Sequence, residues 1–171
     1  SPADMKGMKY RIPNLPIFEK NARAMGAMPT VVSWSEFPFA LMQGVVDGGE
    51  CSKDSYRSTG LYESAKYVAD VDYAYPVEQI CFSTQFWNSL SEEDQKVISD
   101  AAAQVASHHS ERTLDKWEED KEWLINEGGV TFCDIDRQAF IDATEPLGKE
   151  LQDEGFFTTK DLYDQTRQFN K

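Results

Sequence analysis

A chain of 171 residues, 40% hydrophobic and 12% aromatic, has the make-up of a folded globular protein, enough for one good core or two small lobes sharing a long element. Its 30 acidic against 17 basic residues leave a net charge of −13, which argues against nucleic acid or an anionic membrane as a partner held by bulk electrostatics. No stretch approaches the roughly 18 uninterrupted apolar residues of a membrane-spanning helix, and Ser1-Pro2-Ala3-Asp4 lacks the basic start and apolar run of a signal peptide; the abrupt opening reads as a linker cut partway along a longer protein.

Residues 8–12 read as a first strand, ended by Pro13 and Pro16. The helix after Pro16 carries Ile17, Phe18, Ala22 and Met25 toward the sheet and stops at Gly26. Residues 29–32 form a second strand, with the β-branched pair Val31-Val32. Ser33 or Ser35 caps the next helix, and Glu36 lies in its first turn, where the helix dipole favours negative charge. Phe37, Phe39, Ala40, Leu41 and Met42 then give that helix a dense apolar face. Gly44 stops it, Val45-Val46 is a third strand, and Asp47-Gly48-Gly49 is a turn.

A strand–helix–strand–helix–strand run implies parallel strands joined by right-handed crossovers. Parallel strands align their carboxyl ends along one edge, and ligands of open α/β sheets sit outside that edge. Arg11, Trp34, Glu50 and Cys51 fall there, which makes a binding site for a small anion. The bland alternative pairs Arg11 with a nearby carboxylate, puts Trp34 and Phe37 in the core, and gives Glu50 the task of holding the turn or the arginine.

Residues 56–67 read as a loop followed by a short helix. Residues 66–75 and 77–83 read as extended segments broken by Pro76, which a central strand does not tolerate. Phe86-Trp87 and Leu90 lead into the longest element. Ser91-Glu92-Glu93-Asp94 is close to a capping box with an acidic first turn, and neither glycine nor proline recurs until Gly128. Val97, Ala101, Val105, His109, Thr113 and Trp117 follow at steps of four, with Leu124 near the same stripe. This predicts one amphipathic helix over about residues 91–126, a beam able to span two lobes. A strand over 130–133, a helix over 136–154 bent at Pro146, and a short helix from Thr158 or Thr159 complete the chain.

His108 and His109 are neighbours, so on a helix they diverge by about 100° and are not the i, i+4 pair of zinc helices. Asp70 with Asp72, and Asp134 with Asp136, read as solvated, and residues 115–122 as the wet face of the long helix. Cys51, Cys81 and Cys133 are widely spaced and odd in number, predicting neither a zinc site nor a disulfide framework, although one pair could bridge. Cys81 and Cys133, each in an apolar strand, read as buried thiols. No nucleophile-elbow, zinc-helix, P-loop or dinucleotide motif is present, so the chain reads as no enzyme, with no metal and no cofactor. An enzyme using this rim would have only Cys51 or Glu50 as nucleophile or base beside Arg11.

Four runs, KGMKYRIP, GAMPTVVSWSEFPFALMQGVVDGGE, YESAKYV and FWNSLSEEDQKVISDAA, resemble the solute-binding proteins of tripartite ATP-independent periplasmic (TRAP) transporters, the DctP family. The resemblance runs through most of residues 1–127 and is loose over 128–171. It implies the α/β, parallel-sheet lobe of a periplasmic-binding-protein-like fold, a type II-like clam-shell with one long spanning helix. By that resemblance residues 1–75 are the second, C-terminal ligand-binding lobe. Residues 76–127 are a return segment to the first lobe plus the spanning helix, residues 128–171 pack back on the lobes, and most of the first lobe is absent.

The resemblance further implies a periplasmic receptor that closes on a small organic acid, a sugar acid or a dicarboxylate, and delivers it to TRAP permease subunits. Arg11 matches the arginine of the family's KxRxP motif, which implies a bidentate salt bridge to the ligand carboxylate, a geometry that suits a guanidinium fork. Trp34 matches a position where an aromatic lines the pocket. Residues 47–51 read DGGEC where the family has DGQEN, so Cys51 replaces a ligand-contacting asparagine, and a thiol lacks an amide's paired donor and acceptor. The rival reading is a truncated lobe that pairs as a homodimer through apolar surface left bare.

Overall fold

The computed structural model describes residues 1–72, 74 and 79–169. In chain order the elements are β1 (Lys9–Ile12), α1 (Pro16–Ala24), β2 (Met28–Val31), α2 (Phe37–Met42), β3 (Gly48–Gly49), α3 (Lys53–Ser58), β4 (Tyr67–Val68), α4 (Thr84–Ser89), α5 (Glu92–Asn126), β5 (Thr131–Phe132), α6 (Arg137–Asp153) and α7 (Leu162–Arg167). Single 3-10 turns occur at Pro2–Met5, Trp34–Glu36 and Leu61–Glu63. Two compact units result: Ser1–Val71 with Val130–Lys171, and Asp72–Gly129.

The first unit is an α/β lobe built on a parallel sheet ordered β2-β1-β3. The central β1 pairs Arg11 with Thr30 on one side and with Gly49 on the other. α1 opens on Pro16, at a position where the missing N–H has no helical partner to lose. Its Phe18 and Ala22 pack with Ile12, Ala27 and Met5 in a small core beneath the sheet. A backbone φ of +90° at Gly26 then swings the chain into β2.

The third strand is not Val45-Val46. Val45 and Val46 donate their amides back to the Ala40 carbonyl, and Val46 is buried, so these residues close α2 and leave sheet pairing to Gly48 and Gly49. The glycines read as a turn are thus the strand. A Cβ on Gly49 would lie 2.6 Å from Phe37 Cζ and 2.8 Å from Arg11 Cβ, so the close approach, not a turn, demands glycine.

α2 also departs from expectation. The Ser33 hydroxyl donates to the Glu36 carboxylate and caps no helix; a 3-10 turn intervenes, and Glu36 is the residue preceding α2. With six residues, α2 has room for one inward line, Phe37 and Ala40. Phe39 and Met42, expected inside, are exposed.

The helix expected after Tyr56 lies around it: α3 buries Tyr56, whose hydroxyl donates to the Ala65 carbonyl. Of the extended segment expected over 66–75, two residues form β4, parallel to β5. Tyr73, Tyr75, Pro76, Val77 and Glu78 lie outside the described residues, and residues 79–83 carry no strand. Cys81, in that irregular segment, and Cys133, just past the two-residue β5, are therefore exposed and not buried thiols. Asp136 is more than solvated, since its side chain caps α6 by accepting from the Ala139 amide at 3.0 Å. The last helix starts at Leu162, later than expected.

In the second unit, α4 is a helix the pattern did not reveal, headed by Ser83, whose hydroxyl accepts from the Phe86 amide. Gln95 Nε2 donates to the Trp87 carbonyl at 2.8 Å and ties α4 to α5. The long helix is one continuous element of 35 residues, capped by the Ser91 hydroxyl on the Asp94 amide. Its stripe divides: Val97 and Val105 are exposed, Trp117 and Leu124 buried. Asp120 leaves the wet face and is buried, held by Lys116 Nζ at 2.5 Å.

Gly49→Ala is expected to destabilise the chain by about 1–3 kcal/mol through overpacking against Phe37 and Arg11. Gly44→Ala has open space around it and only its φ of +67° to strain it, and is expected to cost about 1 kcal/mol. Urea unfolding of the two variants checks the ranking.

Candidate functional site

The carboxyl ends of β1, β2 and β3 bring Arg11, Trp34 and Glu50 to one rim, with Cys51 following directly. Arg11 is 4% exposed, although it carries a full charge. Its Nε donates to the Val32 carbonyl at 2.9 Å and its Nη1 to Glu50 Oε1 at 3.0 Å. The guanidinium carbon lies 5.4 Å from the ring centres of both Trp34 and Phe37, within cation–π range. Nη2 makes no hydrogen bond, yet no buried side-chain nitrogen or oxygen among the described residues lacks a partner. That nitrogen is therefore not fully enclosed, although the residue as a whole is buried.

The two aromatics divide their duties. Phe37 is 1% exposed and belongs to the core, whereas Trp34 is 40% exposed and presents ring surface at the rim. Burial pushes the Glu50 carboxyl above its ordinary value, and the Arg11 charge and hydrogen bond only partly offset this. The Cys51 thiol donates to the Ser52 carbonyl at 3.2 Å. Burial pushes it up to about 12, with the carboxylates of Glu50 and Asp54 adding to the rise and Arg11 opposing it. A thiol so placed is neutral at physiological pH and is no nucleophile.

The residues singled out by sequence thus meet at one place. Sequence reasoning missed the Val32 carbonyl that holds Nε, and it left Phe37 open between core and pocket lining, where the structure makes it a core ring within cation–π range of Arg11. Phe37 follows Trp34 by three residues, the spacing that brings side chains together on one turn, and that was the available signal. Among the described residues no cluster of His, Cys, Asp or Glu could hold a metal, and His108 and His109 are exposed. No described helix is long and apolar enough to cross a membrane.

The strand ends of a parallel-sheet lobe thus present one buried guanidinium, held by a carbonyl and a carboxylate, beside a thiol held neutral. The chain belongs to the DctP family, described as bacterial extracellular solute-binding protein, family 7, whose sequence pattern matches residues 1–154. It is 35% identical to a solute-binding protein of Roseobacter denitrificans over 140 residues, 82% of this chain and 43% of that protein. Among solved structures it is similar to a TRAP periplasmic solute-binding protein from Ochrobacterium anthropi with bound L-fuconate: 33% identity, TM-score 0.84, 96% of this chain and 53% of that one. It is also similar to one from Actinobacillus succinogenes with bound L-galactonate: 28% identity, TM-score 0.86, 98% of this chain and 54% of that one. The chain spans about half the length of the relatives it matches. These proteins bind solutes for transporters and are not enzymes, so the rival that made Cys51 or Glu50 a catalyst is set aside.

In the folded chain at pH 8, iodoacetamide is expected to modify the exposed Cys81 and Cys133 and to spare Cys51. Mass spectrometry should find two adducts on the native protein and three after denaturation in urea.

Proposed function

We propose that this chain is the carboxylate-gripping part of an extracytoplasmic TRAP solute receptor and binds a small organic acid. Residues 1–75 serve as the second ligand-binding lobe in this reading, and residues 76–127 as the return segment with the spanning helix. Residues 128–171 pack back on the lobes. One observation supports the reading: a guanidinium at the carboxyl edge of the sheet fixed by Val32, Glu50 and two aromatic rings, with Nη2 making no hydrogen bond within the chain. A fixed guanidinium has already lost its side-chain freedom, so an incoming carboxylate meets a prepared donor. Trp34 offers its exposed ring to the ligand body, and Glu50 holds the arginine in place. The sugar acids bound by the two structural relatives supply the ligand class, and the permease partner and periplasmic setting follow from the family.

No bond in the ligand is made or broken in this mechanism. The carboxylate replaces water on Nη2, and closure of the receptor around it removes the remaining solvent, favoured because the ligand makes more contacts in the closed state.

Arg11→Lys keeps a positive charge beside Glu50 but loses the fork and the Val32 hydrogen bond. It is expected to weaken L-galactonate binding about tenfold or more, since a charge-assisted hydrogen bond is worth about 1.5–3 kcal/mol. Titration followed by the Trp34 indole N–H resonance reads this. Equal affinities in the two proteins would remove Arg11 from the anchor role.

A second reading, pairing of two copies, draws on the exposed Phe39, Met42 and Val45, which are 57%, 67% and 47% accessible. Light scattering across a concentration series tests it: a rise above the monomer mass of 19.4 kDa supports pairing, and a constant monomer mass excludes it.

A further inference from the structure

The hold on Arg11 bears on how the site responds to pH, and this rests on the receptor reading above. Glu50 already sits on Arg11 Nη1 at 3.0 Å, so a ligand carboxylate that reaches the same guanidinium must share one cation with it. The lysines of the neighbouring elements answer to other acids: Lys9 of β1 lies 3.8 Å from Asp47, and Lys53 of α3 lies 3.2 Å from Asp70. When a second carboxylate arrives beside the first, each makes the other easier to protonate. The Glu50 side chain is 19% exposed against 5% for Arg11, so a proton from solvent can reach it. Burial already holds the Glu50 carboxyl above its ordinary value, and the Arg11 charge opposes that rise. A ligand that draws on the same charge weakens the opposition. Of the other groups around the rim, the Cys51 thiol is neutral, Asp54 of α3 acts on that thiol, and Glu36 accepts the Ser33 hydroxyl.

We infer that filling the rim takes up a proton: as the ligand carboxylate settles on Arg11, Glu50 accepts H⁺ from solvent and stays on Nη1 as a neutral acid. Its Oε1 still accepts from Nη1 as a carbonyl oxygen, and the proton resides on Oε2. At high pH Glu50 is ionised in both the empty and the filled site, and at low pH it is protonated in both. Affinity therefore changes only between its two titrations. Within that interval the filled site holds more protons than the empty one, so affinity rises as pH falls. The gain ends below about pH 4, where the ligand's own carboxylate protonates. Acid thus favours loading and base favours release, with Glu50 as the group that responds.

The Glu50 carboxyl carbon reports the proton directly. Its resonance is followed against pH in the full 171-residue chain, labelled with carbon-13, at fixed ionic strength. The chain is titrated alone, with excess L-galactonate, and with excess galactitol, the uncharged polyol of the same skeleton. Galactonate should move the Glu50 titration to higher pH by about one pH unit, as expected for one like charge brought close near a protein surface. Galactitol should leave it in place. The Trp34 indole N–H resonance gives the affinity, which in the wild type should be about fivefold to tenfold tighter at pH 5.5 than at pH 7.5. In Glu50→Gln that dependence should vanish. A Glu50 titration that galactonate leaves unmoved, or that galactitol moves equally, would overturn the inference and leave the receptor reading standing; neither result needs the variant. So would an affinity that strengthens toward acid as much in Glu50→Gln as in the wild type. Failure of galactonate to bind the wild type at any pH would overturn the receptor reading and the proton uptake with it.

Discussion

A charged guanidinium held almost out of water sets the terms for everything around it. Arg11 sits at the centre of the central strand's exit, 4% exposed, and cannot be left there unsatisfied. Nε is held by a backbone carbonyl and Nη1 by a carboxylate, while Nη2 makes no hydrogen bond within the chain. The Val32 carbonyl is available because β2 ends one residue earlier. Glu50 is available because β3 is short and releases the chain directly beside the arginine. Net stabilisation from such a buried pair is small, because desolvation cancels most of the attraction. Its effect is positional. The side chain is held in one orientation by contacts that removal of either partner would leave costly.

The glycines of β3 belong to the same constraint. For Glu50 to reach Nη1, the strand carrying it must run close against β1 and over the Phe37 ring. Gly49 has no Cβ to obstruct that approach, and a substituent there would meet both Phe37 and Arg11. Phe37 in turn serves two masters, filling the core while offering a face to the guanidinium. Packing of the lobe and preparation of the rim are therefore one set of contacts. A change that loosens the core at Phe37 or Gly49 also misplaces the arginine.

This interdependence explains what the sequence disclosed and what it hid. The parallel order of strands and helices and the 35-residue helix come from strong periodic signals and stand, and Arg11, Trp34 and Glu50 lie together at one rim. The misreadings cluster where spacing in three dimensions overrides local preference. Gly48-Gly49 carries every local mark of a turn, yet tight packing makes it the strand, while Val45-Val46, with the best strand composition, is tied back to α2. Phe39 and Met42 look like core by composition, but a helix of under two turns has one inward line, already taken by Phe37 and Ala40. Asp120 hides within an acidic run because a run of like charges does not reveal which member will find a lysine. Cys81 and Cys133 seem buried only if long strands are assumed around them, and among the described residues those strands shrink to nothing or to two residues.

The rim also indicates how much binding it can supply alone. One free guanidinium end hydrogen-bonding to a carboxylate in contact with water is worth about 1.5–3 kcal/mol at most. A millimolar complex needs about 4 kcal/mol. The half-exposed Trp34 ring adds some apolar contact, but it cannot surround a polyol. On the receptor reading, a single wall of this kind would hold a ligand weakly and release it fast. Tight binding requires a second surface that excludes water from Nη2, strengthening the same hydrogen bond by lowering the surrounding dielectric constant. The relatives are about twice as long as this chain, and their additional length is where such a surface would have to come from. On the receptor reading, the anchor and the aromatic wall orient a ligand, while the strength with which it is held depends on the surface opposite.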